Sequence, residues 1–154
     1  MPKNPIDYCK SLIYKIACND PTITDIYVGS TTNFVKRKAR HKFDCCNPNS
    51  PSHDYYVYQF IRANGGWDNW RMELIEYYAC NTNLELERRE GQHIIELKAS
   101  LNKKVAGRTK QEWYEANKDK QLEKVKLYYQ KNRDKQLEKK KLYYQKRKNN
   151  LGKK

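Results

Sequence analysis

Residues 11–28 read Ser-Leu-Ile-Tyr-Lys-Ile-Ala-Cys-Asn-Asp-Pro-Thr-Ile-Thr-Asp-Ile-Tyr-Val, and this stretch decides the fold. Its two ends, residues 11–17 and 24–28, alternate in polarity and are rich in residues that favour strands. The polar residues 19–21, Asn-Asp-Pro, separate the two ends and favour a turn. The stretch therefore predicts a β-hairpin, which would supply two strands of the sheet.

A helix is predicted soon after the hairpin. Asn33 is suited to cap its N-terminus, and the helix would run through about Phe43. Near-fourfold spacing defines one apolar stripe that we expect to face the core, formed by Val35, Ala39, Phe43 and Cys46. Arg37 and His41 would then lie on the opposite face, away from the core.

The rest of the N-terminal part predicts two further helices and one strand. Residues 55–63 favour a helix that consecutive glycines end, and residues 70–78 alternate like a strand. Thr82 and Glu85 make a capping box for a third helix that runs to about Leu97. The order β-β-α-α-β-α predicts an α/β (α+β) fold, with a small three-stranded antiparallel sheet flanked by helices.

Positive charge is concentrated in the C-terminal part of the chain. Residues 110–154 carry 16 basic and 6 acidic side chains, a net charge of +10, whereas residues 1–109 carry 16 and 12, a net charge of +4. This uneven distribution favours a polyanionic partner over a role in solubility alone. We therefore expect a folded domain over residues 1–109 and a basic tail over residues 110–154.

The tail contains a repeat. The fifteen residues that begin at Asp119 return at Asp134 with few changes, and both copies contain Lys-Leu-Tyr-Tyr-Gln-Lys. Crowded lysines would repel one another in an isolated helix, so the tail is predicted to be helical or partly disordered.

The composition argues against membrane and disulfide-rich proteins. No run approaches the roughly 20 apolar residues that a membrane helix needs, so we expect an intracellular protein, nuclear or cytoplasmic, with no membrane partner. The five cysteines are odd in number and lack C-x-x-C pairs, which favours reduced thiols. A zinc site is an alternative for His41, Cys45, Cys46 and His53. The competing interpretation is that the two adjacent cysteines close a helix and help to fill the core.

Four polar side chains form a candidate site. Tyr14 and Tyr27 lie one on each strand of the predicted hairpin, and Arg37 and His41 lie four residues apart on the helix that follows. Arginine can make two parallel hydrogen bonds to a phosphate, and tyrosine or histidine can relay a proton from water. The set therefore suits phosphate chemistry.

Glu90 is a fifth candidate because it interrupts an apolar stripe. The stripe contains Leu86 and Ile94, each four residues from Glu90. An unpaired carboxylate there would be costly, so Glu90 must meet a cation. Two partners are open, an arginine or a hard divalent metal ion.

These motifs, taken in order, resemble those of the GIY-YIG nucleases. The series is Leu12-Ile13-Tyr14, Tyr27-Val28-Gly29, Arg37 with His41, Glu90 in a helix, and Leu101-Asn102, and it spans roughly residues 11–105. The family includes phage homing endonucleases, excision-repair nucleases and some restriction enzymes. One departure is Leu12, which stands where the family name has its first glycine. The Lys-Tyr-Tyr repeats of the tail also resemble those of giant-virus relatives.

The resemblance implies a role for each matched residue. Tyr14 would help to deprotonate the attacking water, Tyr27 would be a second active-site tyrosine, and Arg37 would stabilise the charged phosphate. His41 resembles an active-site histidine of some members. Glu90 would bind one Mg²⁺ or Mn²⁺ ion, and Asn102 would close the site.

The expected activity is metal-dependent hydrolysis of DNA phosphodiester bonds. A non-catalytic DNA-binding module and a structural protein that acts through its tail repeats are the two alternatives. The residues that we predict to contact nucleic acid are Gly29, which would let the backbone turn beside the phosphate, Lys36, Arg40, Lys124, Lys126, Tyr128, Tyr129, Lys139, Lys141, Tyr143 and Tyr144.

Overall fold

The computed structural model describes residues 6–151, with only the backbone for 149–151. Three strands are present, β1 (Leu12–Cys18), β2 (Ile26–Thr31) and β3 (Trp70–Tyr77). The α-helices are α1 (Phe34–Cys46), α2 (Tyr56–Ala63), α3 (Asn83–Glu96) and α4 (Lys110–Leu151). Apart from two short 3-10 turns, this is the predicted β-β-α-α-β-α order followed by a helical tail, so the predicted fold class is confirmed.

The sheet is antiparallel, with β1 in the centre and β2 and β3 at its edges. All residues of β1 are buried except the half-buried Lys15. In the register with β2, Tyr14 lies opposite Gly29. The pairing of β1 with β3 contains an irregularity between Ile13 and Tyr14.

Two apolar clusters lie on the two faces of the sheet, as alternation of side chains along β1 requires. Tyr14 and Ile16 belong to the cluster that contains residues of α1 and α2, such as Cys45 and Ile61. Ile13 belongs to the cluster that contains residues of α3. The sheet is therefore flanked by helices on both faces.

The prediction for the buried face of α1 was wrong. Val35 is 77% exposed and Phe43 is 48% exposed, whereas the buried residues of α1 are His41, Asp44 and Cys45. Ala39 and Cys46 are also exposed, so only the first of the two adjacent cysteines fills the core. A polar face can be buried because its groups hydrogen-bond to one another and to the sheet.

The structure confirms the predicted signals at the helix ends. The Asn33 side chain accepts a hydrogen bond from Lys36 N (3.0 Å), and the Thr82 side chain accepts one from Glu85 N (3.3 Å). After α2, Gly65 and Gly66 have positive φ angles of 90° and 71°, which glycine adopts most readily.

The chain divides into two compact units, Met1–Arg108 and Thr109–Lys154. The second unit contains α4, which opens with a capping box. Glu112 N donates to Thr109 Oγ1 (3.1 Å), and Thr109 N donates to Glu112 Oε2 (2.8 Å). Over the described residues, none of the helices combines the length and the apolar character needed to span a bilayer.

Candidate active site

The hydroxyl of Tyr14 is the centre of the candidate site. Tyr14 lies on the central strand, is fully buried, and accepts a hydrogen bond from Arg37 Nε (2.9 Å). A second hydrogen bond joins its Oη atom to His41 Nε2 (2.8 Å). Burial raises the pKa of Tyr14, and the neighbouring Arg37 opposes that rise. The predicted cluster of Tyr14, Arg37 and His41 is therefore in direct contact, although α1 buries the face that was expected to be free.

Gly29 makes room for the Tyr14 phenol. A Cβ atom on Gly29 would lie 2.5 Å from Tyr14 Oη and 2.7 Å from Tyr14 Cζ, far inside normal contact distance. The sequence predicted that Gly29 would let the backbone turn beside a phosphate. In the structure, the group that approaches its backbone is Tyr14.

The ring of His41 packs among four aromatic side chains, Tyr14, Tyr27, Tyr58 and Trp67. His41 is 2% exposed, its ring stacks on Trp67 with centroids 6.2 Å apart, and its Nδ1 atom hydrogen-bonds to Tyr58 Oη (2.9 Å). Burial, followed by the charge of Arg37, lowers the pKa of His41 to about 3. His41 is thus neutral at pH 7, with one ring nitrogen a donor and the other an acceptor.

Tyr27 completes the tyrosine side of the site. It lies on β2, is half-buried, and its ring meets the edge of His41 with centroids 5.7 Å apart. Burial raises the pKa of Tyr27, Glu90 raises it further, and Arg37 lowers it. Tyr27 therefore has both Arg37 and Glu90 as electrostatic neighbours.

Glu90 enters the site from α3. It is half-buried, and Ser30 Oγ at the end of β2 donates to its Oε2 atom (2.6 Å). Burial raises the pKa of Glu90, while Ser30 and the charge of Arg37 lower it. The carboxylate thus accepts a hydrogen bond from a hydroxyl group and lies near a guanidinium group. The sequence predicted a cation beside Glu90, but it did not predict the hydroxyl donor.

The side chain of Asn102 hydrogen-bonds to the backbone of β2. Its Oδ1 atom accepts from Val28 N (2.8 Å), and its Nδ2 atom donates to Val28 O (2.8 Å). Val28 lies between Tyr27 and Gly29, so the amide of Asn102 fixes the strand that carries both.

Three residues of the site, Ser30, Tyr58 and Trp67, were not predicted from the sequence. Ser30 could have been suggested because it follows Gly29 on a strand that faces α3. No local signal marks Tyr58 or Trp67, since their contacts with His41 join separate elements of the chain.

The predicted nucleic-acid contacts outside the site are exposed. On α1, Lys36 is exposed, and Arg40 Nε donates to Asp44 Oδ2 (2.9 Å). On α4 the four lysines are exposed, and the four tyrosines are 59–62% exposed: Lys124, Lys126, Tyr128, Tyr129, Lys139, Lys141, Tyr143 and Tyr144.

The zinc alternative finds no support in the geometry. Throughout residues 6–148, no group of three or more His, Cys, Asp or Glu side chains lies close enough to hold a metal ion. Both ring nitrogens of His41 are hydrogen-bonded to tyrosines, and Cys46 is exposed. All five cysteines are free thiols.

Comparison with known proteins gives one match. The family model described as the GIY-YIG catalytic domain matches residues 10–104, which is more than half of the chain and contains every residue of the candidate site. No curated protein and no solved structure matches the chain.

Proposed function

Because the chain belongs to the family of GIY-YIG catalytic domains, a family of nucleases, we propose that it is a metal-dependent endonuclease that hydrolyses phosphodiester bonds in DNA. One observation supports this above the others. The buried hydroxyl of Tyr14 is bonded to both Arg37 and His41, and Glu90 is near enough to affect its pKa. A core with a purely structural role would not need this combination of a phenol, a guanidinium, an imidazole and a carboxylate.

Arg37 is the residue suited to the phosphate. Its Nε atom donates a hydrogen bond to Tyr14, and its positive charge lies near Tyr14, Tyr27 and Glu90. A guanidinium there would stabilise the negative charge that develops on the phosphate during in-line attack.

Tyr14 is suited to handling the proton of the attacking water. A phenol with a raised pKa is a poor base at neutral pH, so its deprotonated form must be favoured during the reaction. Arg37 and His41 are placed to do this, because a hydrogen-bond donor at the phenol oxygen favours the phenolate. Tyr27 adds a second phenol near Arg37 and Glu90.

A magnesium or manganese ion fits the donor set around Glu90. Magnesium is commonly bound through one or two carboxylates, with water and substrate phosphate supplying the remaining oxygens, so a single glutamate is sufficient. Glu90 offers a hard, half-buried carboxylate, and its Oε2 atom accepts a hydrogen bond from Ser30 Oγ (2.6 Å). When bound, the ion would stabilise charge on the phosphate and on the leaving oxygen.

The tail is proposed as the part that holds DNA without reading its sequence. Exposed lysines suit phosphate contacts, and the paired tyrosines of α4 suit stacking on bases. A solvated helix without a partner is the competing interpretation.

Nicking of supercoiled plasmid DNA tests the proposal. The wild-type protein should nick the plasmid with magnesium or manganese and fail with chelator. Glu90→Gln should abolish nicking while DNA affinity and folding are kept, because it removes the charge and preserves the shape. Glu87→Gln is the matched control, since it makes the same change one turn earlier on α3. Arg37→Lys should also be severely impaired, because a point charge cannot replace the planar guanidinium.

Two outcomes would contradict the proposal. DNA binding without nicking under any metal condition would favour a non-catalytic DNA-binding module. Loss of folding together with nicking in Glu90→Gln would identify Glu90 as a structural residue.

A further inference from the structure

Ser30 and Glu90 form a polar pair in an otherwise apolar row between β2 and α3. On β2, Ser30 lies on the same face as Val28, because alternate residues of a strand share a face. On α3, Glu90 lies four residues from both Leu86 and Ile94, so these three share one face of the helix. Val28, Leu86 and Ile94 are at most 5% exposed and belong to one apolar cluster. The carboxylate therefore lies where packing alone would place an apolar side chain.

The hydroxyl of Ser30 meets the carboxylate within this row. Ser30 Oγ donates to Glu90 Oε2 (2.6 Å), and both residues are half-buried. A carboxylate has about four lone-pair sites, so this bond occupies one of them and leaves others for further partners. The bond also opposes rotation of the carboxylate, because Ser30 is itself fixed by the pairing of β2 with β1, where it lies opposite Ile13.

β2 connects Glu90 to the tyrosine side of the site. Tyr27 and Gly29 lie on the opposite face of this strand, where Gly29 lies against the Tyr14 phenol. Burial and then Glu90 raise the pKa of Tyr27, so the carboxylate lies near that phenol although the two approach β2 from opposite faces. Ser30 thus bonds the acidic residue of the site to the strand that carries Tyr27.

Two arginines near Glu90 have other hydrogen-bond partners. Arg89 donates to both carboxylate oxygens of Glu76, at 2.7 and 3.1 Å. Arg37 donates through Nε to Tyr14 (2.9 Å). The direct hydrogen bond to Glu90 comes from Ser30 instead.

We infer that Ser30 is a positioning residue, which holds the Glu90 carboxylate in the orientation that binds the divalent metal ion. This inference rests on the proposed function, because that proposal assigns the metal ion to Glu90. Groups that hydrogen-bond to a metal-binding side chain orient it, and the loss of one typically weakens metal binding about 10- to 100-fold. A donor on a paired strand is well suited to this role, since rigid elements position a site more precisely than loops.

Binding of Mn²⁺ to the full-length protein, followed by electron paramagnetic resonance, tests the inference without DNA. The part of the Mn²⁺ binding that Glu90→Gln removes is assigned to the Glu90 site. Ser30→Ala should weaken binding at this site about 10- to 100-fold. The Mg²⁺ concentration that gives half-maximal plasmid nicking should rise by a similar factor, while DNA affinity stays unchanged.

Three further variants separate the hydroxyl from other effects. Ser30→Thr and Ser30→Val add side chains of nearly the same shape, but only Ser30→Thr keeps a hydroxyl. Ser30→Thr should therefore bind Mn²⁺ like the wild type, and Ser30→Val should bind it as weakly as Ser30→Ala. Ser100→Ala is the matched control, because Ser100 Oγ makes the same kind of bond to Asp25 Oδ1 (2.6 Å) at an exposed position. It should leave Mn²⁺ binding unchanged.

The two proposals fail in different ways. Wild-type Mn²⁺ affinity in Ser30→Ala and Ser30→Val, or equal weakening in Ser30→Thr and Ser30→Val, overturns the role of Ser30 and leaves the endonuclease standing. The expected pattern of Mn²⁺ binding in a protein that never nicks DNA supports the role of Ser30 and contradicts the endonuclease. Equal Mn²⁺ binding by the wild type and Glu90→Gln contradicts both the role of Ser30 and the proposed metal site.

Discussion

At the scale of single residues, the contact between Gly29 and Tyr14 is the tightest constraint on the site. The two residues face each other across β1 and β2, and the phenol occupies the space that a side chain at position 29 would need. The bonds from Tyr14 to Arg37 and His41 therefore depend on a hydrogen atom at that position.

Gly29→Ala should weaken both stability and cleavage. The added methyl group would displace the phenol and lengthen its two hydrogen bonds, so we expect the free energy of unfolding to fall by about 1–3 kcal/mol, a typical cost of overpacking. Cleavage should fall more steeply than folding, because the displaced group is Tyr14. Urea unfolding and plasmid nicking measure the two effects.

A double-mutant cycle with Tyr14→Phe provides the control. The atom nearest to the new methyl group is the Tyr14 hydroxyl oxygen, so Gly29→Ala should cost less stability when that oxygen is absent. Additive effects of the two substitutions would show that the clash does not involve the Tyr14 hydroxyl.

At the scale of secondary-structure elements, local signals predicted where elements begin and end. Asn33, Thr82 and the pair Gly65-Gly66 act on neighbouring backbone groups, so their effect can be read from a short stretch of sequence. The alternation of residues 11–17 likewise predicted the central strand, which spans Leu12–Cys18.

The face that α1 buries could not be predicted in this way. Apolar spacing favoured Val35 and Phe43, but the helix packs through His41 and Asp44, whose partners come from other elements. Tyr14 is 27 residues from His41 and Tyr58 is 17 residues away. A periodicity argument assigns polar groups to solvent, and it fails where the polar groups satisfy one another inside the core.

The candidate site was predictable to the extent that its residues belong to motifs. Tyr14, Tyr27, Arg37, His41 and Glu90 were singled out from their order in the chain, and the structure brings them into one neighbourhood. Tyr58 belongs to no motif, and its contact with His41 depends on the packing of α2 against α1.

Asn102→Ala should loosen β2 as an element. The substitution removes two hydrogen bonds to Val28, and we expect the free energy of unfolding to fall by about 1–3 kcal/mol because the groups it leaves are partly buried. Cleavage should fall as well, since β2 carries Tyr27 and Ser30. Denaturant unfolding and nicking are the measurements.

Two further variants make the result specific. Asn102→Asp keeps the acceptor for Val28 N but sets an oxygen against Val28 O, so it should be no more stable than Asn102→Ala. Asn83→Ala removes an exposed amide from the start of α3 and should change stability by less than about 0.5 kcal/mol. Equal stability of all three variants and wild type would mean that β2 does not depend on Asn102.

At the scale of the whole molecule, the two compact units can be tested separately. A chain that ends at Thr109 retains the unit with the candidate site and lacks the tail, which carries a net charge of +10 over residues 110–154. We expect it to bind DNA more weakly and with a shallower slope of log affinity against log salt, because fewer counterions are released. Turnover at saturating DNA should change little, since the tail would supply uniform binding.

A full-length variant separates charge from length. Replacing Lys124, Lys126, Lys139 and Lys141 by Gln keeps the helix and its tyrosines, and it should reduce the salt slope by about 0.9 for each lysine that contacts a phosphate. Equal slopes for wild type, the shortened chain and this variant would identify the tail as a solvated helix.

The amide of Asn102 also bears on how the protein behaves in concentrated solution. β2 is an edge strand, and unpaired backbone groups on an edge are a template for a strand from another molecule. The Asn102 side chain occupies both backbone groups of Val28, and Leu101 N donates to Ile26 O (3.1 Å). Residues just beyond α3 thus act as a molecular cover, which protects this edge from intermolecular strand pairing and from the aggregation that follows it.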